Sequence, residues 1–126
     1  SSPSSGWRTA TPQVKWSRCG RSKRHAGEVA STQVPDWADP VWHLYVVQHP
    51  QRDALQRQLE AAGIGTLIHY PIPPHLQQAY AAAGFAKGQF PNAEQMANQC
   101  LSLPIGPHLD AQDPAEVISH VTAFLR

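Results

Sequence analysis

The sequence predicts a small α/β layer over residues 34–126, preceded by a basic, disordered tail over residues 1–33. Three observations predict it. Runs of β-branched and aromatic residues alternate with apolar residues at helical spacing. Glycines and prolines fall at the joints between these segments. The composition also changes sharply near Val34: upstream, six Lys and Arg face one acid, a balance of +5, whereas from Val34 onward four face eight, a balance of −4. The whole-chain charge of +1 therefore conceals a basic head on an acidic body.

The head contains seven serines and no Leu, Ile, Phe or Tyr, and Trp7 and Trp16 stand alone. No apolar period fits it, and such a segment cannot offset the entropy of ordering itself, about 1–2 kcal/mol per residue. Its odd Ser/Arg/Trp/Gly/Cys mixture raises the suspicion of a read-through or frame-shift artefact. In the body, residues 41–47 (Val-Trp-His-Leu-Tyr-Val-Val) carry apolar side chains on both faces, as a doubly covered strand would. His49-Pro50 ends that strand. Ala54, Leu55, Leu59 and Ala62 form a helical stripe, Asp53 and Arg57 are placed as an i,i+4 ion pair, and Gly63 is the stop. Residues 64–70 read as a second strand that must end at Pro71.

Residues 75–83 suit a short helix closed by Gly84, and Pro91 suits the first turn of another. On that next helix Ala93, Met96, Ala97 and Cys100 share a face, and Leu101–Leu103 form a short strand before Pro104. The last helix reads with Asp113 as N-cap, Pro114 at N1 and Glu116 at N3, followed by Val117, Ile118, Val121, Phe124 and Leu125 at core spacing.

Composition excludes several function classes. No apolar run approaches the ~20 residues of a membrane helix, and the N-terminus has no apolar signal core. The acidic body lacks nucleic-acid motifs, so no nucleic-acid partner is expected. Cys19 and Cys100 lie far apart in dissimilar segments, which points to a reducing compartment, and Cys100 reads as a buried, inert thiol. The histidine pairs His43/His49 and His69/His75 are each six residues apart, a spacing that suits no common metal site, so no metal is expected. Covalent amine chemistry needs a lysine. The chain has Lys15 and Lys23 in the tail and Lys87 in a Gly-flanked turn. The remaining candidates are His69 and Tyr70, which end an apolar strand before the rigid Pro71-Ile72-Pro73-Pro74. An imidazole and a phenol there could hydrogen-bond a polyhydroxylated ligand, or could merely satisfy local backbone groups.

From about Val34 the sequence resembles the C-terminal small domain of the DegT/DnrJ/StrS family. The resemblance is carried by residues 43–47 (HLYVV), 63–66 (GIGT), 69–77 (HYPIPPHLQ) and 101–109 (LSLPIGPHL), with Phe90-Pro91 and Ala93-Glu94 between them. It is strongest to members that act on dTDP-3-keto-6-deoxyhexoses. Residues 1–33 resemble no part of the family. The resemblance implies the small domain of the aspartate-aminotransferase fold type and a cytoplasmic, homodimeric enzyme dependent on pyridoxal phosphate. That enzyme would move an amino group from glutamate to a keto-sugar nucleotide. It also implies that His69 and Tyr70 contact the sugar, whereas His75 matches a recurrent position without an assigned role. The large domain and its Schiff-base lysine have no counterpart here. The expectation is therefore a fragment that binds no cofactor and catalyses nothing by itself. The alternative is a free-standing nucleotide-sugar-binding or aminotransferase-docking module.

Overall fold

A computed structural model of the chain describes residues 29–31, 35–39, 41–110 and 112–126. The expectation of disorder over residues 1–33 lies outside the described residues except at 29–31. The elements run β1 (Ala30–Ser31), β2 (Tyr45–Gln48), α1 (Arg52–Ala61), two 3₁₀ turns (Pro74–Leu76 and Gln78–Ala83), α2 (Pro91–Gln99), β3 (Cys100–Leu103) and α3 (Asp113–Phe124). The sheet is antiparallel, in the order β1-β2-β3. Tyr45 faces Leu103 and Val47 faces Leu101 across β2 and β3, while Ala30 and Ser31 pair with Gln48 and Val47. The chain is thus a mixed α/β layer, but its boundary differs from the predicted one. Val29 is buried in the core and Ala30–Ser31 belong to the sheet, so the folded part reaches upstream of Val34.

One face of the sheet carries Tyr45, Val47, Leu101 and Leu103 against Leu55 and Leu59 of α1 and Val117 of α3. Leu55 and Leu59 are wholly buried, each contributing about 1.5–3 kcal/mol of transfer free energy. Of the stripe expected on α3, Val121, Phe124 and Leu125 pack against this cluster, but Ile118 remains exposed. Residues 117, 121 and 124 recur at intervals of one helical turn, whereas 118 sits a further ~100° around the axis. α1 ends in a Schellman motif: the Gly63 N–H donates to the Glu60 carbonyl and the Ile64 N–H to that of Leu59, each at 2.9 Å, with Gly63 at φ 78°.

Several predicted details are corrected. Residues 41–44 are not strand, because β3 stops at Pro104 and offers them no partner. Residues 64–70 make a single bridge, Leu67 to Ser102. The neighbouring pairs in that register would be residue 65 with Pro104 and His69 with Cys100. Pro104 has no N–H, and the Cys100 N–H is already committed to the Met96 carbonyl at the end of α2. Residues 75–83 form two 3₁₀ turns rather than one helix, though Gly84 closes them with φ 72° as expected. Cys100 belongs to β3, not to the helix face, and Met96 is exposed while Ala97 is buried.

Asp53 does not pair with Arg57. It contacts Arg52, whose buried Nη1 donates to the carbonyls of Ala97 (3.2 Å) and Cys100 (2.8 Å). The N-cap of α3 is Gln112. Asp113 instead accepts the Asp110 N–H at Oδ2, 2.6 Å away.

Leu59→Ala should lower the unfolding free energy by about 2–5 kcal/mol in urea titrations. Gly63→Ala should cost less, about 1–2 kcal/mol, because its φ is left-handed. A neutral Leu59→Ala would remove this cluster as the core.

Candidate functional site

Ser102 organises the second face of the sheet. Side chains alternate along β3, so Cys100 and Ser102 project away from the face that carries Leu101 and Leu103. The Leu67–Ser102 bridge is doubly bonded: the Leu67 N–H donates to the Ser102 carbonyl at 3.1 Å and the Ser102 N–H to the Leu67 carbonyl at 2.7 Å. Two residues beyond Leu67 the chain delivers His69, whose Nδ1 lies 2.9 Å from the Ser102 Oγ. The Cys100 thiol is oriented at the His69 carbonyl, 3.7 Å away. His69 is half-buried and its peptide bond to Tyr70 is cis. The Tyr70 ring stands edge-on to the imidazole, with centroids 5.6 Å apart, and is 68% exposed. The two residues predicted to contact a ligand are therefore brought together. One is anchored on the sheet and one is presented to solvent.

His75 is buried, and its position has a physical account that the sequence did not supply. Its Nε2 lies 3.0 Å from Glu94 Oε1, and its ring lies 4.9 Å from that of Phe90. The same Glu94 oxygen accepts the Gly88 N–H at 2.7 Å. Hydrogen bonding from Gly88, followed by the hydrogen bond and charge of His75, holds the Glu94 carboxyl below its ordinary 4.5, against an opposing effect of burial. One carboxylate thus ties the first 3₁₀ turn and the turn before α2 to the start of α2. Beside it, His75, Pro74, Tyr80, Phe85, Phe90 and Ala93 line an apolar cavity of about 280 Å³. His75 and Glu94 stand nineteen positions apart, so no local sequence signal could have joined them. A larger cavity, about 370 Å³, lies between Gly63–Gly65 and the start of α3 and includes neither His69 nor Tyr70.

The other residues weighed from sequence have structural places. His49 Nδ1 accepts the Gln51 N–H at 3.0 Å, and its ring packs edge-on against Phe124. Lys87 is exposed in a turn, and Cys100 is a buried free thiol. Among the described residues no cluster of three His, Cys, Asp or Glu is placed to hold a metal, and no helix is long and apolar enough to cross a membrane.

Because Glu94 ionises more readily in the folded chain, its contribution to stability is present above 4.5 and is lost as pH falls through its lowered folded value. Glu94→Gln should therefore be less stable than the parent at neutral pH, and its stability should decline less on acidification. Chemical denaturation across acid pH checks this, and parallel stability curves for the two proteins would contradict it.

With this geometry in place, comparison with known proteins gives a consistent result. Residues 15–122 match the DegT/DnrJ/EryC1/StrS aminotransferase family. The match begins inside the stretch expected to be unlike the family, which agrees with the pairing of Ala30–Ser31 in the sheet. The chain is 53% identical over 90 residues to the erythromycin biosynthesis sensory transduction protein EryC1 of Saccharopolyspora erythraea, covering 71% of this chain and 24% of that protein. It is 52% identical over 87 residues to a dTDP-3-amino-3,4,6-trideoxy-α-D-glucose transaminase of Streptomyces venezuelae, covering 69% and 23%. The crystal structure of S. venezuelae DesV in complex with a ketimine intermediate superimposes with a TM-score of 0.70 at 47% identity, covering 75% of this chain and 25% of that one. An aminotransferase from Brucella abortus superimposes with a TM-score of 0.68 at 34% identity, covering 76% and 26%. The matched part thus spans about a quarter of the length of these relatives. A match over most of the chain, reproduced in three dimensions, shows that the chain belongs to the DegT/DnrJ/EryC1/StrS aminotransferase family.

Proposed function

We propose that this chain is the C-terminal, cleft-closing part of a pyridoxal-phosphate-dependent sugar aminotransferase. The whole enzyme would transfer an amino group from glutamate to a dTDP-keto-6-deoxy sugar and act as a homodimer in the cytoplasm. The observation that carries this reading is the 52% identity over 87 residues to a dTDP-3-amino-3,4,6-trideoxy-α-D-glucose transaminase. The coenzyme's chemistry is that of an electron sink held on a lysine. Lys87, the one lysine among the described residues, sits in an exposed turn, and the cavity nearest that turn is lined by aromatic, proline and alanine side chains around His75. These residues do not fit a coenzyme pocket, and no chemical step is assigned to them.

What this part contributes is recognition. His69 and Tyr70 offer an imidazole and a phenol on the open face of the sheet, suited to the oxygens of a nucleotide sugar. Leu67, Ile72, Tyr80, Phe85 and Met96 are all 45% or more exposed, an apolar surface that the rest of such an enzyme would cover. That surface also favours the second reading, a free-standing module that docks onto an aminotransferase or binds a nucleotide sugar.

Two measurements test the proposal. The chain mixed with pyridoxal phosphate and borohydride should give no stoichiometric adduct at Lys87, and such an adduct would overturn the reading. Grafting residues 29–126 in place of the matching part of the S. venezuelae transaminase should preserve activity. In that graft His69→Ala and Tyr70→Phe should each lower kcat/KM for the keto-sugar nucleotide roughly tenfold, about one hydrogen bond's worth. An inactive graft in which the separate chain still binds an intact aminotransferase would favour the docking module.

A further inference from the structure

We propose that Ser102 is a positioning residue for the ligand site: its hydroxyl holds the His69 imidazole in the tautomer protonated at Nε2, so that the site presents an N–H donor to an acceptor oxygen of the nucleotide sugar. This rests on the reading of His69 as a ligand contact.

Ser102 is 5% exposed, and its backbone N–H and carbonyl are both bonded to Leu67. Among the described residues its Oγ has one partner, His69 Nδ1 at 2.9 Å. A hydroxyl carries a single hydrogen. If Nδ1–H donated to Oγ, that hydrogen would have no acceptor in a buried place, at a cost of about 1–3 kcal/mol. If the hydroxyl donates to Nδ1, both groups are satisfied. Nδ1 is then the acceptor, and the ring hydrogen lies on Nε2. Nε2 itself has no partner among the described residues.

The arrangement is held on several sides. All four residues of β3 are buried, and Leu101 and Leu103 are fixed in the core, so Ser102 has little freedom to turn. The Tyr70 ring braces the imidazole at an interplanar angle of 86°. The Cys100 thiol, from the same strand, engages the His69 carbonyl. A neutral Nε2–H donor recognises a hydroxyl, carbonyl or phosphate oxygen and requires no imidazolium.

Ring-nitrogen NMR of the full chain labelled with ¹⁵N-histidine should show Nδ1 bare and Nε2 protonated in neutral His69, and a mixture of tautomers in Ser102→Ala. In the graft described above, Ser102→Ala should lower kcat/KM roughly tenfold, while Ser102→Thr, which keeps the hydroxyl, restores most of the activity. In a His69→Ala background Ser102→Ala should have no further effect. If Ser102→Ala does not fold, Ser102→Cys, similar in volume and a poor donor, takes its place. An unchanged tautomer, or an equal loss in both backgrounds, would overturn the role of Ser102 while leaving His69 as a ligand contact. If His69→Ala alone leaves kcat/KM unchanged, His69 is not a ligand contact and both readings fall.

Discussion

Ser102 exchanges both backbone hydrogen bonds with Leu67, and that pair decides where His69 and Tyr70, the candidate ligand contacts, are placed. Among the described residues it is the one backbone bridge between residues 64–70 and the sheet, since Pro104 on one side and the committed Cys100 N–H on the other prevent the ladder from extending. A longer ladder would have spent the His69 backbone in sheet pairing. A single bridge instead releases the chain two residues later, with the imidazole over β3 and Tyr70 outside it. The same serine therefore fixes the backbone through its amide and the side chain through its hydroxyl.

β3 is registered by its ladder with β2, and a buried cation ties its start to α1. Arg52 is the first residue of α1, yet its guanidinium reaches the carbonyls of Ala97 and Cys100 at the junction of α2 and β3. Those carbonyls lie at a helix end, where acceptors lack intrahelical donors and a positive group is favoured. Asp53 meets the guanidinium at Nε. One side chain thus links three elements and compensates its own burial with hydrogen bonds.

The other half of the site region is organised differently. The segment from Pro74 to Phe90 has no regular sheet or α-helix, and its order comes from the His75–Glu94 pair, the Gly88 amide and the aromatic contacts of Phe90 with His75 and Phe85. Much of its aromatic surface stays exposed. The core face of the sheet is closed by α1 and α3, whereas Leu67, Tyr70 and Phe90 stay exposed.

Periodicity, read together with the glycine that closes α1 and the prolines that open α2 and α3, located the three α-helices, because i,i+4 stripes and φ preferences are local properties. The Gly63 stop, the Pro91 and Pro114 starts and the strand at Leu101–Leu103 were legible for that reason, and the choice of His69 and Tyr70 came from their place beside a rigid proline run. Other features were settled by contacts between distant residues. Ala30–Ser31 joined the sheet because a central strand had a free edge. Residues 64–70 were reduced to one bridge because their partner lacked amides to offer, and His75 found Glu94 because two turns fold together. Sequence marked the capping glycine and the early prolines that bound the α-helices. Tertiary structure decided which polar groups would meet, because a hydrogen bond depends on separation in space rather than along the chain.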